Sequence, residues 1–384
     1  MTEQAVFLLF VVVAIFLSFG YAGFVLWLLV VLKLQKRIVA KSSFEPNVSF
    51  IIAFRNEENN LTRLLDSLLY QNYPRQKLEI LLVDDSSDDK GKEIVEAFQK
   101  KHPEFRLRLL ELNIEKPGAL GKKAALNLAI RSAKNDFVLL TDADCFFDKK
   151  NIQSRIGLFE NKNIKMVLAP VFLENTNTIF SAAQALENLS LMATTAASTA
   201  AFLPIMSNGA NLAFERMAYF SLPNNAMQPE FASGDDLFLL NSFTKQFGAK
   251  SIAFSFDKSA AVFTKAQGDL KHFLYQRIRW VSKSKHYTNF WLIFISLLIL
   301  SFNLSIVLAA FGSVFNVNYL IVFGYLFVLK LVIDFPILNA FATLYHQRQS
   351  LKVFPLLQLI YPFFIVMVGF LGHFLPYKWK GRKY

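Results

Sequence analysis

Carboxylates stand in pairs at three places in the chain, two of them closing apolar runs and one preceding such a run. Phe137-Val138-Leu139-Leu140-Thr141-Asp142-Ala143-Asp144-Cys145 begins with four apolar residues, the pattern of a fully buried strand, and runs on into two acids one residue apart. Alternation along an extended chain points Asp142 and Asp144 the same way. Converging carboxylates repel unless a cation lies between them, and hard oxygen ligands of this kind suit Mg²⁺ or Mn²⁺ carrying a diphosphate. Taken alone, such a pair is more often an acid-rich turn after a strand.

Asp84 and Asp85 close a second apolar run, Leu78 to Val83. A carboxylate there can accept the imide N–H of a uracil-type base or a ribose hydroxyl, or it can simply cap the next helix. Asp235 and Asp236 precede the apolar Leu237-Phe238-Leu239-Leu240. A helix dipole stabilises acids at that position and would keep one ionised, ready to take a proton from an attacking hydroxyl. Lys122 stands in a glycine-flanked basic loop, Gly118 to Lys123, that opens a helix, a natural neighbour for phosphate or carboxylate. Gln276-Arg277-Ile278-Arg279-Trp280 sets two guanidinium groups beside an aromatic ring, a pattern that also describes an interfacial amphipathic helix.

The elements that must carry these residues follow a strand–helix rhythm. Val48 to Phe54 reads as a buried strand, and Leu61, Leu64, Leu65, Leu68 and Leu69 follow at helical spacing. Leu78 to Val83 is a second strand with a crossover helix over 90–100. Leu107 to Leu112 is a third, followed by a helix over Ala124 to Ser132 and then the Phe137 strand. Repeated units of this kind predict an α/β fold, a doubly wound and mainly parallel sheet with right-handed crossovers. In such sheets ligands bind beyond the carboxyl ends of the strands, where Asp84, Asp85, Asp142 and Asp144 fall. Beyond Asp148 the rhythm loosens. Met166 to Phe172 reads as one strand, and Ile179 to Phe202 as a helix too polar to span a membrane, given Gln184, Glu187 and Asn188.

Hydrophobic residues make up 54% of the chain, which points to membrane segments. Residues 5–32 exceed the roughly 20 needed to cross a bilayer. Glu3 precedes the run and no small-residue cleavage site closes it, so a retained N-terminal helix is expected rather than a cleaved signal. Three more apolar segments, about 290–315, 319–341 and 353–375, form a C-terminal membrane module over 290–375. The formal charge of +12 sits beside these segments: Lys33, Lys36, Arg37 and Lys41 follow the first, and Lys283 and Lys285 precede the second. That distribution favours membrane lipids with anionic headgroups over nucleic acid, and places residues 47–285 on the cytoplasmic side of an inner (plasma) membrane that the chain crosses several times. If all four segments crossed, the basic tail Lys378-Trp379-Lys380-Gly381-Arg382-Lys383 would emerge on the far side, so one of the C-terminal segments is expected to be re-entrant or interfacial. The single Cys145 excludes an intrachain disulfide, and the five histidines show no zinc-site spacing.

An acid pair after one strand, Asp-x-Asp after another, an acid pair before a helix and then Gln-x-x-Arg-Trp, in this order, resemble the signature of membrane glycosyltransferases of family 2. Cellulose, hyaluronan and poly-N-acetylglucosamine synthases and ceramide glucosyltransferase belong to that family. Phe54-Arg55-Asn56-Glu57-Glu58 and Gly121-Lys122-x-x-Ala125-Leu126-Asn127 are supporting matches, and the likeness covers about Asn47 to Lys285. The resemblance implies a GT-A-type domain that moves a sugar, with inversion, from a nucleotide-sugar (a UDP-sugar is expected) to a lipid or glycan hydroxyl at the membrane. It implies that Asp85 or Asp84 holds the base, with Arg55, Glu57, Lys122 and Asp142 also on the nucleotide-sugar. Asp142 and Asp144 would hold a divalent metal, Mg²⁺ or Mn²⁺. Asp236, with Asp235 beside it, would be the catalytic base, and Gln276, Arg277, Arg279 and Trp280 would meet the pyrophosphate and acceptor. Two positions depart from the family pattern: Phe54 stands where proline is frequent, and Asp235 where glutamate commonly precedes the base. A lipid acceptor is favoured over a growing polymer, because four segments make a thin wall for a channel. A processive polysaccharide synthase subunit and a non-catalytic nucleotide-sugar-binding scaffold are the rivals, and an oligomer or export partner is left open.

Overall fold

The computed structural model describes residues 2–35, 43–112, 121–174, 177–223, 234–374, 378–379 and 382–383. Lys36, Arg37, Lys41, the Gly118–Leu120 part of the basic loop and Lys380 lie outside these residues. In chain order the elements are α1 (Glu3–Leu34), β1 (Val48–Phe54), α2 (Glu58–Leu69), β2 (Leu78–Asp84), α3 (Gly91–Lys101), β3 (Arg106–Glu111), α4 (Lys122–Ser132), β4 (Phe137–Asp142), β5 (Phe146–Phe147) and α5 (Asn151–Ile156). There follow β6 (Met166–Leu168), β7 (Val171–Leu173), α6 (Ile179–Ala200), β8 (Asn211–Glu215), α7 (Arg216–Phe220), α8 (Asp235–Phe247), β9 (Ile252–Phe254) and β10 (Val262–Thr264). Helices α9 (Leu270–Ser282), α10 (Phe290–Gly312), α11 (Asn318–Leu344) and α12 (Phe354–Phe374) come last. They group into two compact units: an α/β unit, Lys36–Glu174 with Thr194–Ala266, and a helical unit, Met1–Gln35 with Asn175–Ala193 and Gln267–Tyr384.

The α/β unit is built on a seven-stranded sheet of order β3-β2-β1-β4-β8-β6-β9. Strands β1 to β4 are all parallel, as the alternating β–α pattern predicts, while β8 runs antiparallel to β4 and to β6. Val48, Phe50, Ile51 and Ile52 of β1 and Ile80, Leu81, Leu82 and Val83 of β2 are completely buried, which is why both read as unbroken apolar runs. The register pairs Phe54 with Asp84 and Ala53 with Asp142, so the carboxyl ends of β1, β2 and β4 finish level. A smaller sheet, β5-β10-β7, stands beside this edge. The single strand expected over Met166 to Phe172 is two: β6 joins the large sheet and β7 the small one, and they part at Ala169-Pro170. Proline cannot donate to a ladder, and here it marks the point where the chain changes sheets.

The helical unit holds four helices long and apolar enough to cross a membrane among the described residues: α1, α10, α11 and the stretch Arg348–Phe374 that contains α12. Much of their outer surface is large apolar side chain, Phe16 at 77% and Ile321 at 72% exposure among them, as lipid contact would demand. Helix α1 runs parallel to α11. Phe7 meets Tyr319 at 4.9 Å between ring centroids, and Tyr21 Oη donates to Asp334 Oδ1 at 2.6 Å. The charges Lys330 and Asp334 face protein, as expected of ionisable groups at such depth: they pair with each other, Lys330 Nζ donates to Tyr21 Oη at 3.2 Å, and Gln358 Nε2 donates to Asp334 Oδ2 at 2.9 Å. Helix α12 starts beside α11, Phe354 against Phe335 at 5.3 Å, and finishes beside the segment that leads into α10, with His373 Nε2 at 3.4 Å from Ser284 Oγ.

Candidate functional site

Helix α4 begins by tying two strand ends together. Gly121, its N-cap, has φ +97°, a backbone region essentially reserved for glycine, and its N–H donates to Asp85 Oδ1 at 2.9 Å. The next residue, Lys122, reaches the other way, with Nζ at 2.5 Å from Asp142 Oδ1. The N-terminus of α4 therefore spans from the end of β2 to the end of β4, the two sequence-predicted acid sites. Asp84 and Asp85 divide their roles. Asp84 Oδ1 accepts from Ser87 N at 2.9 Å and from Ser87 Oγ at 2.6 Å, the turn-capping use of an aspartate. Asp85 instead faces α4, and its carbonyl accepts from Arg55 Nη1 at 2.8 Å. Arg55 also lies 3.5 Å from Asp88, and Glu57, the residue before α2, accepts at Oε2 from Asn60 Nδ2 at 2.7 Å without capping a helix N–H.

Asp144 lies in the turn between β4 and β5, and its Oδ2 accepts from Thr264 Oγ1 at 3.0 Å. Burial pushes its carboxyl above the usual range, the charges of Asp142 and Glu57 push it further, and the Thr264 hydrogen bond and Lys122 only partly offset them. Thr264 is placed by β10, which pairs with β5 and β7. That small sheet is pinned by a buried polar network: Asn151 Nδ2 donates to Ala260 O at 2.9 Å, Asn211 Nδ2 to Pro170 O at 2.7 Å and Ala260 O at 2.8 Å, and Arg155 Nη2 to Asn151 Oδ1 at 2.7 Å. Arg155 is fully buried under β4 and β8, donating to Leu140 O and Leu212 O at 3.3 Å each, and burial lowers its guanidinium to about 9. Nothing in the sequence pattern marked Thr264 or Arg155.

Asp236 joins the same edge through the antiparallel pairing of β8. Thr141, one residue before Asp142, donates from Oγ1 to Ala210 O at 2.8 Å, and Gly209 N donates to Asp236 Oδ2 at 3.1 Å. The turn over Asn208–Asn211 is thus held by β4 on one side and by the first turn of α8 on the other. Gly234, in the left-handed region at φ +89°, turns the chain into α8. Asp235 is the first residue of that helix and Asp236 the second. The edge so assembled presents Asp85, Lys122 with Asp142, Asp144 and Asp236. Among the described residues no three acidic, histidine or cysteine groups close on one point. A hard cation here would take Asp142 and Asp144 and complete its shell with ligand oxygens, and the destabilised Asp144 carboxylate is the group such a cation would relieve.

The remaining predicted residues belong to the helical unit, on α9. Gln276, Arg279 and Trp280 are half-buried and share one face at i, i+3 and i+4. Arg277 is buried and bound to Glu187, with Nε at 2.9 Å from both carboxylate oxygens and Nη2 at 2.5 Å from Oε2. It also donates to Gln276 Oε1, and its guanidinium lies over the Trp280 ring at 4.2 Å.

Residues 49–215 match the profile of glycosyl transferase family 2. Over 120 residues the chain is 30% identical to poly(ribitol-phosphate) beta-N-acetylglucosaminyltransferase TarS of Staphylococcus aureus, covering 31% of this chain and 20% of that protein. Over 161 residues it is 29% identical to poly-beta-1,6-N-acetyl-D-glucosamine synthase of Staphylococcus epidermidis, covering 41% and 37% respectively. The chain therefore spans well under half the length of either relative. Among solved structures, the mannosyltransferase PcManGT from Pyrobaculum calidifontis, in complex with GDP-Man and Mn²⁺, aligns with a TM-score of 0.63 at 18% identity, covering 91% of this chain and 99% of that one, which shows a shared fold.

Proposed function

We propose, from the premise that residues 49–215 form a glycosyltransferase family 2 domain on a GT-A-type sheet, that this protein moves a sugar from a nucleotide-sugar to a hydroxyl acceptor at the membrane. The observation that carries this reading is the sheet edge itself, where α4 bridges Asp85 to Asp142 and the β8 turn brings in Asp236. Asp85 is assigned to the base or ribose of the donor, and Lys122 to the diphosphate. Asp142 and Asp144 would hold Mg²⁺ or Mn²⁺, which offsets charge on the leaving diphosphate when bound; the Mn²⁺ of PcManGT supports this. Asp236 takes the acceptor proton as the acceptor oxygen forms its bond to the anomeric carbon and the bond to the nucleoside diphosphate breaks. The roles of Gln276, Arg279 and Trp280 toward diphosphate and acceptor rest on the order of the motifs. UDP is the expected nucleotide, with the α/β unit on the cytoplasmic side of the plasma membrane.

A lipid hydroxyl is the favoured acceptor. A glycan polymer is the second reading, supported by two relatives whose names specify polymer substrates or products. The test is full-length protein in detergent with a panel of UDP- and GDP-sugars, with and without Mn²⁺, reading released nucleotide. One donor turning over only with metal is the expected result; no release from any donor, with lipid and glycan acceptors both supplied, overturns the reading. Product length then separates single addition from polymerisation.

A further inference from the structure

We infer that Glu187 is a positioning residue for the Gln276–Trp280 segment, acting through Arg277; this rests on the transferase reading above. Both partners are buried, at 6% exposure each. All three nitrogens of the guanidinium donate. Its Nε and Nη2 edge faces the Glu187 carboxylate, at 2.9, 2.9 and 2.5 Å, its Nη1 donates to Gln276 Oε1, and its faces lie 4.2 Å from the Trp280 ring centroid and 4.4 Å from that of Phe273. A single group anchored from α6 thus touches two of the residues assigned to diphosphate and acceptor.

Donor counting shows what that anchoring does. A guanidinium only donates, so the Gln276 atom facing it must be the carbonyl oxygen, and the amide NH₂ is turned away from Arg277. In that orientation the outward edge of Gln276 is a donor, the polarity the diphosphate assigned to it above would need; flipped, that edge would be a carbonyl. The same guanidinium fixes the plane of the Trp280 ring by stacking. An apolar pair could pack α6 on α9 equally well, and often more stably than a desolvated ion pair. What it could not do is orient an amide, and the planar fork is suited to that task where a lysine point charge is not. Glu187 supplies the orientation without itself touching a reactant.

The experiment uses full-length protein in detergent, the donor identified by the panel, and UDP with Mn²⁺ as the binding probe. Glu187→Gln should lower kcat about 10- to 100-fold, the scale of a misplaced contact, and weaken UDP binding as well, because the misturned amide would face the diphosphate. Glu187→Asp should recover part of the loss. Arg277→Lys, which keeps the charge pair but loses the fork, should reproduce it. In protein whose only tryptophan is Trp280 (Trp27→Phe, Trp291→Phe, Trp379→Phe), acrylamide quenching should rise with Glu187→Gln. Wild-type kcat in Glu187→Gln, a loss confined to KM, or unchanged quenching overturns the inference. Should Glu187→Gln fail to fold, Arg277→Lys decides by the same criteria. If no donor turns over, the transferase reading falls, and quenching alone still judges the coupling.

Discussion

Asp144 is held against its own charge. Burial comes first, then the neighbouring carboxylates Asp142 and Glu57, and the Thr264 hydroxyl and the charge of Lys122 offset them only in part. The folded protein therefore carries this carboxylate at a cost, the arrangement expected of a cation ligand rather than of a stability device. Asp144→Asn keeps an acceptor for Thr264 and removes the charge. It should raise the thermal midpoint of the metal-free protein by about 2–4 °C, the effect of roughly 1 kcal/mol in a domain of this size, and abolish both turnover and the upward shift that Mn²⁺ gives the wild type. A lower midpoint in a fluorimetric melt would mean that the carboxylate is structural. Asp236 differs in its setting: it is the second residue of α8 and accepts from the Gly209 N–H. Asp236→Asn should cost about 10²–10⁴ in kcat, the range of a general base, while UDP still binds. If Asp235→Asn is the more damaging change, the two acids exchange roles.

At the scale of elements, close approaches decide which helices carry function. A Cβ on Gly372 of α12 would lie 2.5 Å from Val281 Cγ1 of α9, so glycine is what lets these helices meet. Gly372→Ala should destabilise the helical unit by about 1–3 kcal/mol, as overpacking does, and Val281→Ala in the same chain should restore much of it. A thermal shift showing no rescue would place the strain elsewhere. Such contacts also show what the sequence could disclose. Strands β1, β2 and β4 were legible because both faces are buried, so the apolar run is continuous, and their acids were legible because a parallel sheet sends strand ends to one edge. Thr264, Arg155 and Glu187 were not. Each is set by a partner far along the chain, 120 residues for Thr264 and Asp144 and 90 for Arg277 and Glu187, and no local period records such a pairing. Glu187 registered only as a charge too polar for a membrane span, and the split of Met166 to Phe172 between two sheets depends on tertiary pairing that Pro170 hints at but does not specify.

At the scale of the whole molecule, the sequence leaves open which apolar segment fails to cross, and from the contacts within the helical unit we predict that it is α12. Helix α11 starts where α10 stops, with the Tyr319 ring packed on Gly312. It then runs the length of α1, past Ser18 at Tyr325 and Tyr21 at Asp334, so it ends on the side where α10 began. Helix α12 starts with Phe354 on Phe335, nine residues before the end of α11. Its middle reaches toward the other end of α10, Phe363 lying 6.3 Å from Phe311, and its last turn returns to Val281 and Ser284, which precede α10. We predict that α12, 21 residues and about 31 Å long with Pro362 inside it, bends at that proline and turns back instead of crossing. Such a return would satisfy the positive-inside rule, because the end of α12 would then share the side expected for Lys33, Lys283 and Lys285. In a Cys145→Ser background, Gln349→Cys and His373→Cys should react with a membrane-impermeant maleimide from the same side of sealed vesicles, and Asn316→Cys from the opposite one. If His373→Cys labels together with Asn316→Cys, α12 crosses and the basic tail lies on the far side. If it labels with Gln349→Cys, α9, with Gln276 and Trp280, is packed along a helix that enters and leaves the bilayer on its own side, a route by which an amphiphilic acceptor would reach α9 without leaving the membrane.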